Sequence, residues 1–424
     1  MSRRLIALVL TVAGFVASPA QSQVQAQAQG AALPARLTLP VLLKLVAERS
    51  PRLAAEQFSI SVAEADRVTA GALPNPSLSY GRFKPSGGGN TLFDGTRQQQ
   101  IGVELPILIS GQRGARIEAA EQGILAARAR VGLLGSELAL RAAELFSDMQ
   151  AGQERIAKIE ESLAEIQRLA TVVSGRLESG VASRYDLTRV EIELAGVAAR
   201  LAEARTDQAD RAAGLATLLG APGWRPGVVG MVTQSGLSTS KNEWRDKLLA
   251  GNPQVIAARR EEDVARASLQ RTERDTLPVP VLSLGRQMTS EPYGSANFIG
   301  LSTEIPLSDS RKGLMARSAA ELNAAQRRRE AIEAEAGVEL QRLLDTLSQR
   351  RLSLERFNQN VGARIPALRQ MADDAYRLGR GSMLELIDAS RSRLELHLTE
   401  IDLRTATVQQ ELRLLALTGK LGEQ

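Results

Sequence analysis

The chain of 424 residues has no cysteine and a single histidine, His397. The missing cysteines exclude disulfides, thiolate metal sites and a lipid anchor carried on an N-terminal Cys. Without imidazole and thiolate ligands, a soft or borderline metal finds nothing here to hold it tightly. A metal, if handled at all, is conducted rather than captured. Aromatic residues make up only 3 %, too few to supply stacking platforms for nucleic acid. The formal charge of +5 sits on arginines spread through helical stretches that also carry Glu and Asp, so no nucleic-acid partner is expected. Past the N-terminal segment no run of 18 apolar residues occurs, so no second spanning helix is available. No nucleophile–base set, phosphate loop or metalloprotease motif stands out, so neither catalysis nor a cofactor is expected.

What is present begins with an address. Ser2-Arg3-Arg4, an apolar stretch from Leu5 to Ala17 and the small residues Ser18-Pro19-Ala20 read as a secretory signal peptide over 1–28, cleaved after about Ala20–Ala28. The rest is written twice. Gly180-x-x-Ser183-x-x-Asp186-Leu187 returns as Gly379-x-x-Ser382-x-x-Glu385-Leu386. Leu73-Pro74-x-Pro76-x-Leu78-Ser79-x-Gly81-Arg82 returns as Leu277-Pro278-x-Pro280-x-Leu282-Ser283-x-Gly285-Arg286, and Glu104-x-Pro106 as Glu304-x-Pro306. The offset of about 200 residues is too long for a solenoid unit, whose periods run roughly 20–50, so a domain has been duplicated.

The first repeat is expected over 37–221 and the second over 251–419, with a Gly- and Ser-rich linker or small equatorial segment at 222–250. A helix starting at Ser50-Pro51 runs to about Gly71. The period then changes to two, giving strands at about 76–84 and 98–108 around a Gly-rich loop, Lys84–Thr96. Leu78 and Tyr80 share one face; Ile101, Val103 and Leu105 alternate with Gln100, Gly102 and Glu104. In the second repeat strands are expected at about 279–288 and 297–307, with Ile299, Leu301 and Ile305 opposite Phe298, Gly300, Ser302 and Glu304. Strands of about 9–11 residues with one apolar face are the length and pattern that cross a bilayer. Four of them cannot cover one another in a soluble sandwich.

From Ser110 to Gly175 there is no proline, and the helical pattern is unbroken. Roughly 65 residues at 1.5 Å each reach about 100 Å, which demands a helical partner. One hairpin is therefore expected over 110–219 with its tip near Gly180, and another over 309–418 with its tip near Gly379, kinked at Pro366. The fold class is mainly α with a small β part: long helical hairpins that build a coiled-coil barrel, plus four strands per protomer.

A signal peptide, two strand pairs and two very long helical hairpins in tandem resemble the TolC family of outer-membrane efflux channels over about Leu37 to Gly419. The most specific pieces are Ala72-Leu73-Pro74-Asn75-Pro76 and Tyr376-Arg377-Leu378-Gly379 through Ser382-Met383-Leu384-Glu385-Leu386-Ile387-Asp388-Ala389. Glu104-Leu105-Pro106 through Ser110-Gly111-Gln112-Arg113-Gly114 to Glu121 is similar to the heavy-metal (CzcC-like) branch. The resemblance implies a homotrimer with a shared twelve-stranded barrel in outer-membrane lipid and a helical periplasmic extension. It also implies partnership with a periplasmic adaptor (membrane fusion) protein and an inner-membrane pump of the resistance–nodulation–division (RND) type.

The resemblance further implies a periplasmic gate. Acidic residues matching Glu385 and Asp388 ring the narrow end of the tunnel in the family, and residues matching Asp186 and Tyr376 hold the tip closed. Read locally, the acids equally suit the first turn of a helix, Asp186 a helix cap and Tyr376 packing beside a turn. Gly180 and Gly379 fit chain reversals, Ser183 and Ser382 fit N-caps, and Leu187 and Leu386 fit packing positions; these tips form the surface an adaptor would contact. Arg176 and Arg377 read as solvated. The expected function is an outer-membrane duct exporting heavy-metal cations such as cobalt, zinc or cadmium. The alternatives are a duct for drugs or type I protein secretion, and a periplasmic coiled-coil scaffold without a pore.

Overall fold

The computed structural model describes residues 33–84, 97–230, 241–290, 294–305, 311–378 and 381–421. The signal segment, Pro306, Gly379 and nearly all of the Lys84–Thr96 loop lie outside the described residues.

The chain opens with a two-residue strand β1 (Arg36–Leu37) and the helices α1 (Leu39–Arg49) and α2 (Pro51–Gly71), each with Pro in its first turn. Strands β2 (Ser77–Phe83) and β3 (Gln98–Pro106) follow. Then come α3 (Gln112–Glu178) and α4 (Arg184–Leu219). At 67 residues, α3 alone runs about 100 Å. After the short β4 (Gly227–Val228) come α5 (Lys241–Gly251) and α6 (Pro253–Asp275). The second repeat continues with β5 (Val281–Thr289), β6 (Ser295–Ser302), α7 (Lys312–Asn360), α8 (Ile365–Arg377) and α9 (Met383–Leu417).

Two local differences from expectation have physical causes. The interruption in the second long arm is not at Pro366 but just before it, in a single 3₁₀ turn at Gly362–Arg364; the proline sits in the first turn of α8, where its missing N–H costs nothing. The segment 222–250 is also more than a linker. β4 pairs in parallel with β1, and Trp244 and Leu248 of α5 are buried in the main core. That core, at the waist of the molecule, is built from Leu340, Leu343, Leu344 and Leu347 of α7 with Val408, Leu412, Leu414 and Leu415 of α9 and Val255 of α6. Each fully buried leucine there contributes about 2 kcal/mol of transfer free energy.

The four longer strands form one antiparallel sheet in the order β2-β3-β5-β6, so β3 and β5 join the two repeats along the middle. The register places Leu78, Val103, Leu284 and Ile299 in one row on the same face. Beside it runs the row Leu105, Leu282, Leu301. Leu78, Ile299 and Leu301 are 71 %, 75 % and 73 % exposed, a contiguous apolar band of the kind a water-soluble surface avoids. The opposite face is Ser, Gly and Gln with Glu104 at one end. Phe83 and Phe298 also lie on it, and the Phe298 ring covers the paired glycines: a Cβ on Gly285 would lie 2.4 Å from Phe298 Cζ, and one on Gly102 3.5 Å from it. The residue pattern thus trades two side chains for one ring. Among the described residues no helix is laid across either face of the sheet, and none is long and apolar enough to cross a membrane.

Candidate functional site: the paired hairpin tips

The two tips are made by the same local chemistry. At the end of α3, Gly180 adopts φ +76°. Its N–H donates to Leu177 O at 3.0 Å, and that of Val181 to Arg176 O at 2.8 Å. This is the double bond pattern that closes a helix C-terminus, and it places a residue in the left-handed region where glycine is unstrained. α4 then starts with a capping box. The Asp186 N–H donates to Ser183 Oγ at 3.1 Å, while the Ser183 N–H and hydroxyl donate to Asp186 Oδ2 at 3.0 and 2.7 Å. The Ser183 hydroxyl, aided by its N–H, holds the Asp186 carboxyl below the usual carboxylate range. At the second tip Gly381 N–H donates to Ala375 O at 2.9 Å, and Ser382 and Glu385 form the matching box at 3.1 and 3.2 Å. At the first tip the Gly-x-x-Ser-x-x-acid motif is therefore a helix-stop, helix-start unit; at the second its Ser-x-x-acid half makes the same helix start, and in both the acid is the third residue of the new helix.

Behind the tips an apolar knot ties the two hairpins together. Ile166 and Val173 of α3, Val190 of α4 and Met383 and Ile387 of α9 are buried, with Leu187 and Tyr376 packed around them. Arg176, read as solvated, instead lies over the Tyr376 ring with 4.6 Å from its guanidinium carbon to the centroid, a cation–π contact joining the first hairpin to the second. Next to it is a cleft of about 280 Å³, lined by Arg168, Val172, Asp373, Leu386 and Ser390 among others. Leu386 is buried, whereas Asp388 and Glu385 stay exposed, three residues apart. Asp186 and Tyr376 are not brought together in this chain: Asp186 is held within its own helix by Ser183, and Tyr376 lies under Arg176.

Charge pairs set the register of the hairpins, and sequence reading missed them. Along the antiparallel seam of α3 and α9, Glu144 accepts from Arg413 at 2.7 Å and Asp148 from Gln409 at 2.8 Å. Further along, Glu154 pairs with Arg404, Arg155 with Asp402, and Glu161 and Glu165 with the buried Arg393. Burial pushes the Asp148 carboxyl up. Arg391 of α9 reaches α4 instead, bonding Glu193 at 2.5 Å. Such partners stand over 190 residues apart, so only the antiparallel register makes them visible. His397 is half-buried in the same seam; burial, with Lys158 and Arg393 nearby, holds its pKa below the usual value and leaves it neutral. Among the described residues no cluster of His, Cys, Asp and Glu is placed to hold a metal ion.

Residues 42–221 match the outer membrane efflux protein family. Over 391 residues the chain is 24 % identical to the cobalt-zinc-cadmium resistance protein CzcC of Cupriavidus metallidurans, covering 91 % of this chain and 90 % of that one. It is 26 % identical over 305 residues to the nickel-cobalt-cadmium resistance protein NccC of Alcaligenes xylosoxydans xylosoxydans, covering 70 % of this chain and 67 % of that one. The fold is similar to that of the outer-membrane channel OprN, with a TM-score of 0.76 at 19 % identity over 90 % of both chains. A four-stranded sheet with an exposed apolar face, carried on helical hairpins about 100 Å long, thus shares its fold with outer-membrane channels along nearly the whole chain, and residues 42–221 of it match the outer membrane efflux protein family.

Proposed function

We propose that this protein is the outer-membrane duct of a tripartite export system whose cargo is heavy-metal cations. The sheet carries the first half of this reading. Its apolar face is exposed, and among the described residues the outer edges of β2 and β6 have no strand paired to them. A membrane-spanning sheet must close to satisfy its edges. Three copies joined edge to edge give a ring of twelve strands, wide enough to enclose a lumen, and cyclic symmetry is the simplest closure. The helices then extend away from the membrane as a tube, and their tips are the parts placed to meet a periplasmic adaptor and, through it, an RND-type pump. The cargo is inferred from the two metal-resistance relatives, which match the chain over most of its length.

At the tips Glu385 and Asp388 act as the charged constriction. Both are exposed on one helix face, and three copies concentrate negative charge that favours cations. Asp186 and Tyr376 act in closure. Tyr376 anchors the second hairpin against the first through the apolar knot and Arg176, and Asp186 pins the start of α4. Of the tip residues proposed for adaptor contact, Gly180, Ser183 and Ser382 are exposed, Leu187 and Leu386 support the tips from beneath, and Gly379 lies outside the described residues.

Growth of a deletion strain across zinc, cobalt, nickel, cadmium, copper and silver, with hydrophobic drugs alongside, tests the cargo. Selective metal sensitivity, restored by the intact gene, is the expected result. Sensitivity to drugs alone would leave the duct in place and overturn the metal assignment.

A further inference from the structure

The outer face of the sheet changes character along its length. Nearest the helices its rows are apolar: Leu105–Leu282–Leu301, then Leu78–Val103–Leu284–Ile299. The next row, Tyr80–Ile101–Arg286–Asn297, is mixed, and the one after it, Arg82–Gln99–Met288–Ser295, is polar but for Met288. Arg97 continues the same alternation two residues before Gln99, with its backbone tied to Ser290 by two 3.0 Å bonds. Lys84 follows Arg82 by two positions. All four basic residues are exposed. Arg286 donates to Ser295 Oγ at 2.8 Å, which draws its guanidinium toward the row of Arg82.

Among the described strand residues no carboxylate shares this face. Glu104 lies on the inner face near the opposite end, next to Ser77. Among the described strand residues the basic rim thus meets no acidic neighbour on its own face, and it stands at the end of the apolar band where a membrane barrel meets headgroups. An aromatic girdle usually occupies that level, yet among these outer rows only Tyr80 is aromatic. An arginine there is unfavourable against hydrocarbon and favourable against phosphate, which its planar fork binds through two hydrogen bonds at once.

We propose that Arg82, Lys84, Arg97 and Arg286 form a collar that binds the phosphate groups of the phosphorylated glycolipid in the outer leaflet. This rests on the sheet lying in the outer membrane with its turns outward. Lipid phosphate, rather than free phosphate, is the occupant because the rim is continuous with the lipid-facing apolar band. The collar fixes the depth of the duct in the membrane and ties its strand end to the leaflet by charge that salt weakens.

The test uses the full chain in neutral detergent. It is titrated with a fluorescent diphosphorylated glycolipid, the same lipid with its phosphates removed, and inorganic phosphate as competitor. The phosphorylated lipid is expected to bind at least about tenfold more tightly, with the preference shrinking as salt rises. The R82Q/K84Q/R97Q/R286Q variant loses the preference, whereas R82K/R97K/R286K keeps most of it. Insertion of the wild-type protein into neutral phosphatidylcholine vesicles separates the two levels of the argument. Insertion without any phosphate preference overturns the collar and leaves the barrel standing; failure to insert overturns both. Full displacement by inorganic phosphate at matched concentration would make this an ion site and contradict the lipid assignment. Should the glutamine variant fail to assemble, the wild-type comparison of the two lipids decides alone.

Discussion

Gly285 shows how much a single position in the sheet is constrained. An added Cβ would meet Phe298 Cζ at 2.4 Å and the Ile101 carbonyl oxygen at 2.5 Å; the ring can rotate aside, but the backbone carbonyl cannot withdraw without disturbing the sheet's pairing. Gly285→Ala is expected to destabilise the sheet by about 1–3 kcal/mol. Gly300→Ala, whose Cβ would meet nothing closer than Ser283 Cβ at 3.8 Å, is expected to be tolerated. The temperature at which the folded band disappears in gel electrophoresis reads both. At the tips, Ser183→Ala removes the acceptor for the Asp186 N–H and should cost about 1 kcal/mol of local stability. Asp186 adds a pH dependence of known sign. Its carboxyl is held below the unfolded value, so its contribution is complete above that value and is lost as pH falls through the folded one. Amide protection factors at the start of α4, taken relative to the intrinsic exchange rate at each pH, should therefore fall on acidification in the wild type and change less in Asp186→Asn. Glu385→Gln with Asp388→Asn is expected to weaken cation selectivity; an unaltered reversal potential in a salt gradient would remove the acidic ring.

At the scale of elements, what could be read from sequence was what is local. Both capping boxes, the Gly180 stop and the period-two strands depend on residues within a few positions of one another; the boxes and Gly180 stand where the pattern put them, the expected Gly379 stop lies outside the described residues, and the last strand ends at Ser302 rather than at about 307. The break before α8 was displaced because proline marks a helix boundary without saying which side it falls on; here the proline starts the new helix. Trp244 and Leu248 of α5 were unreadable, since a short helix in a polar stretch gives no sign that its two large apolar residues enter a distant core. The same holds for Arg176 over Tyr376 and for the ladder between α3 and α9. That ladder makes a prediction. Arg393 is buried among Glu161 and Glu165, so Arg393→Met strands acidic charge in the seam and should cost about 3–5 kcal/mol. Adding Glu165→Leu to it should recover much of the loss, because the pair's desolvation penalty disappears together with its attraction. Denaturant midpoints of the wild type and the two variants check this.

On the proposed reading the single chain is one part of a larger assembly. Among the described residues its strands present an uncovered apolar face and two unpaired edges, while its helices are packed around a well-filled waist. The waist explains why a chain with so few aromatics folds at all: closely spaced leucines and alanines on antiparallel helices supply the core, and charge pairs fix their register. The open sheet is the part that assembly and membrane must finish. The most direct test of the account is single-channel recording of the purified protein in planar bilayers, wild type beside the Asp186→Ala/Tyr376→Ala variant. The account predicts discrete, cation-selective current steps, larger in the variant whose tip is loosened. Absence of current steps from both proteins, once each is shown to have inserted, would contradict the claim that this chain forms a duct.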